Sequence, residues 1–518
     1  MSAETTPLSP VDAAWLHMEH PTNLMMITAA ILLEGTVDFA RVRDVYGARL
    51  LQFRRFRQRV AESSLGVGRP TWEDDPNFTL DAHVHHIALP EPGDRLQFTT
   101  LLSDLASTPL DFGKPLWQVH VVDNVEGGSA IVMRIHHCIG DGTALVAVTS
   151  ALFDDAPDAP THKPPVAVPR SRSANVSIAG LLSGFYHGAQ STVDSVWRES
   201  LENVLHPSRL LEVTQTARRI ATRNAAVVGR ALVQGNDPVT PVKGKLGVSK
   251  RVAWTDAVPT DETKRIAHAL GCKINDVLVA AMTGALRRYM LGRRADAADA
   301  DIRAIIPVDL REPSRAMDLG NVFGMVFLPM PITLADPLER LLAVKQRMDS
   351  LKRSNEAIFY YGLLSIVGMT PRKVEELIVE FFASKATTVF TNVVGPRTPL
   401  YIAGSLVNNI LFWVPQSGRL SMGISIYSYN NKVTMGVITD VGLAPDPETI
   451  TAYFNSEFHL LRRVADAQAS APVAAGAATR THCIAHTRDG SPCRNLAQPG
   501  SALCRVHARS TAATGAIA

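Results

Sequence analysis

Residues 136–142 combine residue types that could carry out acid–base chemistry. They read His-His-Cys-Ile-Gly-Asp-Gly and follow an apolar run, residues 130–135, with a single charge. Such a run predicts a buried strand. Gly140 and Gly142 then predict a tight turn, with Gly142 allowing a backbone geometry that a larger residue would resist. Two imidazoles therefore lie where a core strand opens into a loop, where a histidine can act as a general base near neutral pH.

A second histidine pair, His85-His86, offers an internal comparison. It lies in the sequence His-Val-His-His-Ile at 83–87, with neither an acidic residue four places on nor two glycines. We interpret it as part of a strand at the surface. A histidine at a strand end is usually a hydrogen-bonded core residue, so the Asp-Gly of the first pair is what favours catalysis. Asp141 is close enough to orient its loop through backbone hydrogen bonds or an arginine.

The motif resembles the HHxxxDG signature of the CoA-dependent acyltransferase superfamily. That superfamily includes chloramphenicol acetyltransferase, carnitine acyltransferases, peptide-synthetase condensation domains and bacterial wax ester synthase/diacylglycerol acyltransferases. Five further groups of segments resemble the last family in order: Pro7–Asp12 with Glu19 and Asn23–Met26, Pro115–Trp117, Asn275–Leu278 with Gly284–Tyr289, Thr391–Arg397, and Ser425–Asn430. The resemblance covers about residues 7–465. The chain is therefore identified as a member of the wax ester synthase/diacylglycerol acyltransferase family.

The resemblance implies an α/β fold with two chloramphenicol-acetyltransferase-like domains, mixed sheets and a helical crossover. We place the N-terminal acyltransferase domain, with the motif, at residues 1–155, and a proline-rich linker with the helical crossover at 156–248. The C-terminal acyltransferase-like domain follows at 249–465. An alanine-rich flexible tether at 466–478 leads to a small zinc-knuckle-like tail at 479–510.

Apolar periodicity predicts individual elements in both domains. The predicted helices are 38–45, 143–153, 260–270 and 275–289, and the predicted strands are 119–122, 130–135, 301–308 and 323–329, with a hairpin of 421–429 and 432–439. The segment 173–233 is also helical in pattern and rich in arginine. Two interpretations stay open for it: a crossover whose basic face lies in water, or an interfacial helix on anionic lipid.

The family implies transfer of a long-chain fatty acyl group from acyl-CoA to a long-chain alcohol, giving a wax ester, or to diacylglycerol, giving triacylglycerol. We assign His137 as the general base and His136 to the pocket, with Asp141 and the adjoining Gly142 holding the loop. Arg311 is one candidate partner of Asp141. The alcohol attacks directly, so no covalent acyl-enzyme is required. No catalytic cofactor is expected, because acyl-CoA is a substrate.

Other residues receive supporting or structural roles. Asn275 and Asp276 form the family's Asn-Asp element and are expected to line or support the site. Residues 115–117 are interpreted as structural. Cys138 and Cys272 are expected to be buried apolar residues and not nucleophiles.

The tail departs from the family, whose members usually end before it. Cys504 and His507 have the spacing of a common metal-ligand pair, and with Cys483 and Cys493 they would complete a tetrahedral zinc site. His482 and His486 are alternative ligands. A segment this short cannot build its own core, so a metal would supply its folding energy. The alternative is a disordered tail with incidental cysteines, and the tail's partner is unknown.

Composition limits the other classes. A chain of 518 residues suggests two or three domains, and a net charge of +3 is too small to indicate nucleic acid binding. No stretch approaches the roughly 18–20 apolar residues of a membrane span. The N-terminus lacks a signal-peptide pattern, and five cysteines imply no disulfide framework. We therefore expect a cytoplasmic protein with peripheral contact to the inner membrane or to lipid inclusions.

Two alternatives compete with this prediction. A condensation-type enzyme would use carrier-bound or polyketide-type substrates. The Asp-Ser-Leu at 349–351 lacks preceding glycines, so we interpret it as incidental and not as a carrier site. A lipid-droplet scaffold would use the basic helices and the tail, although an intact histidine motif argues against loss of catalysis.

Overall fold

The computed structural model describes residues 5–62, 69–162, 235–294, 296–312, 315, 318–354, 356–367, 372–416, 418–470, 483–486, 490–493, 495, 497, 502 and 504. They belong to two compact units, Met1–Arg462 and Arg463–Ala518. The predicted basic helical segment, most of the proline-rich linker and His507 lie outside the described residues.

The elements of the first half of the chain surround the histidine motif. They are β1 (Thr6–Pro7), α1 (Pro10–His17), β2 (Met26–Leu33), α2 (Phe39–Arg49), β3 (Gln58–Ala61), β4 (Thr71–Asp74), β5 (Val84–Ala88), α3 (Arg95–Ser107), β6 (Trp117–Val125), β7 (Gly128–His136) and α4 (Gly142–Ser150). The predicted helix and strands of this half are confirmed, and α4 follows the motif as expected.

The second half contains the remaining described elements. They are β8 (Lys250–Trp254), β9 (Val258–Pro259), α5 (Thr260–Ala269), α6 (Ile274–Arg293), β10 (Ile302–Asp309), β11 (Phe323–Met330), α7 (Pro337–Leu351), α8 (Glu356–Val367), α9 (Arg372–Ala383), β12 (Thr388–Val394), β13 (Tyr401–Ile402), β14 (Ser405–Trp413), β15 (Met422–Tyr429), β16 (Lys432–Asp440) and α10 (Pro447–Ser470). The predicted hairpin is confirmed as β15 and β16. Its two turn residues, Asn430 and Asn431, have φ of 46° and 58°, the left-handed conformation that two-residue hairpin turns require.

Two mixed sheets carry the fold. The first has the order β13-β14-β2-β7-β6-β5, in which β5 and β6 run parallel and the other neighbours antiparallel. The second has the order β11-β10-β12-β15-β16-β8, with β12 parallel to both β10 and β15. A small sheet contains β1, β4 and β3. The mixed α/β architecture is confirmed at this level.

Strands β13 and β14 join the first sheet although they come from the second half of the chain. β14 pairs with β2, with Trp413 opposite Thr28. The sequence predicts a separate C-terminal domain at residues 249–465. The strand pairing shows that this segment also completes the first sheet, because backbone hydrogen bonds cross between the halves. Residues 466–470 of the predicted tether are the last turn of α10, so the helix passes the predicted boundary at 465. The other domain boundaries stay a prediction.

The hydrophobic core also includes both halves. Trp15 and Ile135 pack in one buried cluster with Phe323 and Tyr427. In β7 every residue after Gly128 is buried, as expected for a strand that is covered on both faces. Within the described residues, no single helix has the length and apolar composition to cross a bilayer. α5 and α6 meet that criterion only together, with a bend of 93° between them.

Candidate active site

The motif loop runs from the end of β7 to the start of α4. Strand β7 ends at His136, and Asp141 caps α4 because its Oδ1 accepts the backbone N–H of Ala144 at 2.9 Å. Gly140 forms a parallel bridge with Gly320, which lies just before β11. The loop is therefore held between the first sheet and the chain segment that enters β11.

His137 is buried in the middle of this loop. Its Nδ1 lies 2.9 Å from Oδ1 of Asn321. Its ring stacks on Trp15, with centroids 4.2 Å apart and planes 14° apart. Burial lowers the pKa of His137 to about 4, and the nearby Asp141 carboxylate opposes the shift. The imidazole is therefore neutral at neutral pH, in the form that accepts a proton.

Asn321 and Asp12 were not assigned to the site from the sequence. The Asn321 amide Nδ2 donates to Asp12 Oδ1 at 2.7 Å and to the His137 carbonyl at 2.8 Å. The backbone N–H of Asn321 donates to the same Asp12 oxygen at 2.9 Å. Asn321 and His137 are 184 residues apart in sequence, and no local pattern indicates such a contact. Asp12 lay in the family-like N-terminal segment, which was the only signal for it.

His136 has different neighbours from His137. Its Nδ1 accepts the backbone N–H of Cys138 at 3.1 Å, and its Nε2 lies 3.5 Å from a carboxylate oxygen of Glu19. The Phe112 ring packs edge-on against it, with centroids 5.7 Å apart. These contacts help to fix the conformation of the motif loop. A role of His136 in the pocket stays a prediction, and it would act through the loop backbone.

Asp141 pairs with the arginine that the sequence suggested. Its Oδ2 accepts Nη2 of Arg311 at 2.7 Å and the backbone N–H of Val322 at 2.8 Å. Both charged side chains are almost fully buried. Together with the helix cap, these bonds use both carboxylate oxygens. Asp141 therefore fixes the loop against the segment before β11 and is not free to transfer protons.

The glycines of the motif do not have the conformation expected of them. Neither Gly140 nor Gly142 lies in the left-handed region. A Cβ on Gly142 would meet Val393 at 3.7 Å, which is an ordinary contact. The prediction that Gly142 needs a backbone geometry closed to larger residues is therefore wrong. Gly142 is simply the first residue of α4.

The two residues of the Asn-Asp element do different things. Asp276 is buried and accepts the backbone N–H of Lys273 at 2.8 Å, so it caps α6. Asn275 accepts a hydrogen bond from Asn392 at 2.7 Å, and Asn392 lines the cavity described next. Asn275 can therefore support the site through Asn392, whereas the contacts of Asp276 are structural.

The remaining predicted roles concern burial. Leu116 and Trp117 are buried, and the Trp117 indole donates to the Phe56 carbonyl at 2.8 Å, which is a structural role. Burial raises the pKa of Cys138 well above its usual value. Cys272 is only half-buried, so the prediction that it is a buried residue is wrong for this cysteine, and its partial burial raises the pKa of Cys272 to about 11. Neither thiol is therefore ionised at neutral pH, as a nucleophile would need to be.

An apolar cavity of about 280 Å³ has His137 in its wall. The first half of the chain contributes apolar residues such as Ile27, Met133 and Phe153, and the second half contributes Met325, Leu364 and Phe382. Polar groups of the wall include Asp141, Thr143, Asp309 and Asn392. A concave apolar site with a few polar groups beside one histidine is typical of an enzyme for an apolar substrate.

The second unit holds a cluster of thiols. Cys483, Cys493 and Cys504 are buried, and their sulfurs all lie within 4.8 Å of one another. The Sγ atoms of Cys493 and Cys504 are 3.9 Å apart, so they are not bonded. Three converging thiols fit the donor set of a zinc site. His486 forms an isolated bridge with Pro492, and the predicted ligand His507 and its alternative His482 are outside the described residues.

Family models and known proteins match this chain over most of its length. The wax ester synthase/diacylglycerol acyltransferase catalytic domain matches residues 8–278, and the C-terminal domain of the same family matches residues 319–462. A probable diacylglycerol O-acyltransferase of Mycobacterium tuberculosis is 27% identical over 85% of this chain and 92% of its own length. An Acinetobacter baylyi O-acyltransferase is 26% identical over 76% of this chain and 83% of its own length.

Solved structures show the same fold. A wax ester synthase/diacylglycerol acyltransferase from Marinobacter aquaeolei has a TM-score of 0.62 at 21% identity, covering 89% of this chain and all of that one. The first condensation domain of the calcium-dependent antibiotic synthetase has a TM-score of 0.56 at 14% identity, covering 90% and 97%. The catalytic-domain model alone spans more than half of the sequence. The chain therefore belongs to the wax ester synthase/diacylglycerol acyltransferase family of acyltransferases, as its motifs predicted.

Proposed function

We propose that this chain transfers a long-chain fatty acyl group from acyl-CoA to a hydroxyl, on either a long-chain alcohol or diacylglycerol. The observation that carries the proposal is a buried, neutral His137 in the wall of an apolar cavity. Alkyl chains gain about 0.8 kcal/mol for each CH₂ that is buried, so such a cavity favours long chains. The names of the relatives agree with both acceptors.

The proposed chemistry needs one proton carrier. The acceptor hydroxyl gives its proton to Nε2 of His137 while its oxygen attacks the thioester carbonyl carbon. A C–O bond forms, and the carbonyl oxygen becomes an oxyanion. The C–S bond then breaks, and the CoA thiolate takes the proton back from the imidazolium. The buried Asp141 carboxylate favours the imidazolium while it exists.

We further propose how the chain is organised and located. Residues 1–155 and 249–465 would be two chloramphenicol-acetyltransferase-like domains, with β13 and β14 of the second joining the sheet of the first and a helical crossover at 156–248. The enzyme would contact the membrane or lipid inclusions peripherally, because its donor and acceptors partition there. Asn275 would support the substrate site through Asn392.

The thiol cluster of the second unit is proposed to bind structural zinc. Cys483, Cys493 and Cys504 would be ligands, with His507 as the fourth. The full-length protein should contain about one zinc per chain by elemental analysis. The double variant Cys493→Ser/Cys504→Ser should lose it, and Cys272→Ser should keep it. A full-length protein without zinc would contradict the site.

The function is tested by release of CoA thiol from palmitoyl-CoA with hexadecanol or with dioleoylglycerol. We expect release that depends on an acceptor and is lost in His137→Ala. The same assay with a carrier-bound acyl donor separates the condensation-type alternative. If a folded protein releases free thiol from neither acyl-CoA nor the carrier-bound donor, the result would contradict acyl transfer and favour the scaffold.

A further inference from the structure

We infer that Asn321, held in place by Asp12, is a positioning residue that keeps His137 in the tautomer with its proton on Nδ1. This inference rests on the proposed function, because it concerns how His137 becomes competent as a base. It assigns a task to two buried polar residues that the chemistry does not otherwise use.

The contacts of Asn321 decide which way its amide points. Its Nδ2 lies 2.7 Å from an Asp12 oxygen and 2.8 Å from the His137 carbonyl. Both neighbours are acceptors, so the NH₂ group must face them. The reversed amide would place three acceptor oxygens together inside the protein, leaving two of them without a donor, which is costly. Oδ1 of Asn321 therefore faces His137.

The direction of the amide then fixes the proton on the ring. An amide oxygen only accepts, so Nδ1 of His137, at 2.9 Å, must be the donor. In a neutral imidazole the other nitrogen, Nε2, then carries the lone pair. His137 lines the cavity, and Trp15 stacks on its ring and sets the ring plane. Nε2 is thus the atom left to receive a proton from a substrate.

Asp12 fixes Asn321 from the opposite side. Its Oδ1 accepts both the backbone N–H and the side-chain Nδ2 of Asn321. The neighbouring Gly320 has φ of +109°, and a Cβ there would lie 3.4 Å from the other Asp12 oxygen. That distance is an ordinary contact, so it is the positive φ that favours glycine at 320.

One short segment thus controls two features of the site. Gly320 and Val322 bind the backbone and the carboxylate of Asp141 at 3.2 and 2.8 Å, which fixes the loop. Asn321, between them, binds His137, which fixes the tautomer. The loop and the base are therefore set by three consecutive residues.

The tautomer is measured directly by ¹⁵N NMR of the full-length protein labelled in its histidines, at neutral pH and without substrate. The chain has 16 histidines, so the His137 signals are assigned from the difference between the native protein and His137→Gln. We expect a protonated Nδ1 in the native protein. Asn321→Leu, which removes the side-chain acceptor at nearly constant size and leaves the ring with only the backbone carbonyl of His137, should give a mixture of tautomers.

Kinetics provide the second readout. Asn321→Leu should lower kcat about 100-fold, which is the low end of the rate gain that a positioned general base provides. The KM for the acyl donor should stay within about twofold of the native value. A purely structural role of Asn321 would lower the stability of the variant without changing the tautomer, so the NMR signal of folded Asn321→Leu separates the two roles.

Two results would overturn the inference. One is an unchanged Nδ1–H signal in folded Asn321→Leu, and the other is a kcat within twofold of the native value. If Asn321→Leu does not fold, Asn321→Ala carries the same expectations. The NMR result does not depend on turnover, so a failure of the proposed acyl transfer would be seen separately.

Discussion

The first sheet contains two pairs of consecutive histidines, and the two pairs have different surroundings. His85 and His86 lie within β5, where His86 is 44% exposed and its Nε2 lies 2.7 Å from a carboxylate oxygen of Asp123. His136 and His137 lie at the end of β7, where both are buried. A pair inside a strand sends its side chains to opposite faces. A pair at a strand end can turn one ring into a cavity.

Burial alone does not separate catalytic from structural histidines here. His120, whose ring lies 5.1 Å from that of His85, has a pKa lowered by burial to about 4, as does His137. The difference is that His137 lines the cavity and its Nδ1 faces the Asn321 amide oxygen. A low histidine pKa therefore reports desolvation, and function requires a partner and a place for substrate as well.

The largest expected difference between the pairs is in turnover. His137→Gln should lower kcat at least about 1,000-fold, because the only assigned proton acceptor is lost. His86→Gln should change kcat by less than about twofold, since an exposed histidine outside the cavity takes no part in the chemistry. Both are measured by CoA thiol release. Similar losses in the two variants would contradict the assigned difference between the two histidine pairs.

The second difference is in stability. Asp141→Ala removes one partner of a buried ion pair and leaves Arg311 uncompensated, which should cost about 3 kcal/mol of unfolding free energy. Asp123→Ala breaks an exposed contact to His86 and should cost less than about 1 kcal/mol. Denaturant unfolding of both variants checks this. Asp141→Ala should also lose activity, because the loop is released.

An Asp141 variant that loses activity with unchanged unfolding would contradict the structural role. The control is Asp141→Ala/Arg311→Leu, which removes both charges. It should recover part of the stability, because no buried charge is left unpaired.

The motif and its flanking elements could be predicted from sequence because their signals are local. The apolar run that forms β7, the helix α4 after the motif and the two-residue turn of the β15–β16 hairpin each depend on neighbouring residues. Asn321 and Asp12 could not be found in this way, since their contacts with each other span 309 residues. The pairing of β14 with β2 was missed for the same reason: an apolar strand does not specify its partner.

In the tail, too, a local pattern in the sequence could be interpreted. The Cys504–His507 spacing indicated a metal site, and the three thiols do converge. The prediction for Gly142 is wrong because a glycine in a motif does not always have a positive φ. The sequence does not show whether a glycine adopts that conformation, and Gly142 does not.

A smaller effect concerns pH. The pKa of His137 is lowered to about 4, so the base stays neutral as pH falls through the ordinary histidine range near 6.5. The acid limb of kcat/KM should therefore lie near pH 4 and not near 6.5. Stability should also decrease as pH falls from about 6.5 to about 4. In that range His137 is protonated in the unfolded chain but stays neutral in the folded chain, so protons favour the unfolded state.

The measurement is kcat/KM across pH, with unfolding followed at each pH to separate loss of base from loss of fold. An acid limb near 6.5 that persists in His86→Gln and His85→Gln would contradict the burial effect on His137. If either substitution removes the acid limb, the limb arises from the His85-His86 pair and not from His137.

The smallest expected effect is that of Gly142→Ala. The motif would suggest an intolerant position, but the backbone there is open to any residue and the added methyl group meets only Val393, at 3.7 Å, within 4 Å. Alanine also favours a helix over glycine by about 1 kcal/mol, although less at a first turn. We expect unchanged or slightly raised stability and kcat within about threefold, because Gly142 lines the cavity but makes no hydrogen bond to the base. A loss as large as that of His137→Gln would mean that substrate passes closer to Gly142 than an added methyl group permits. The requirement for glycine would then come from the ligand and not from the fold.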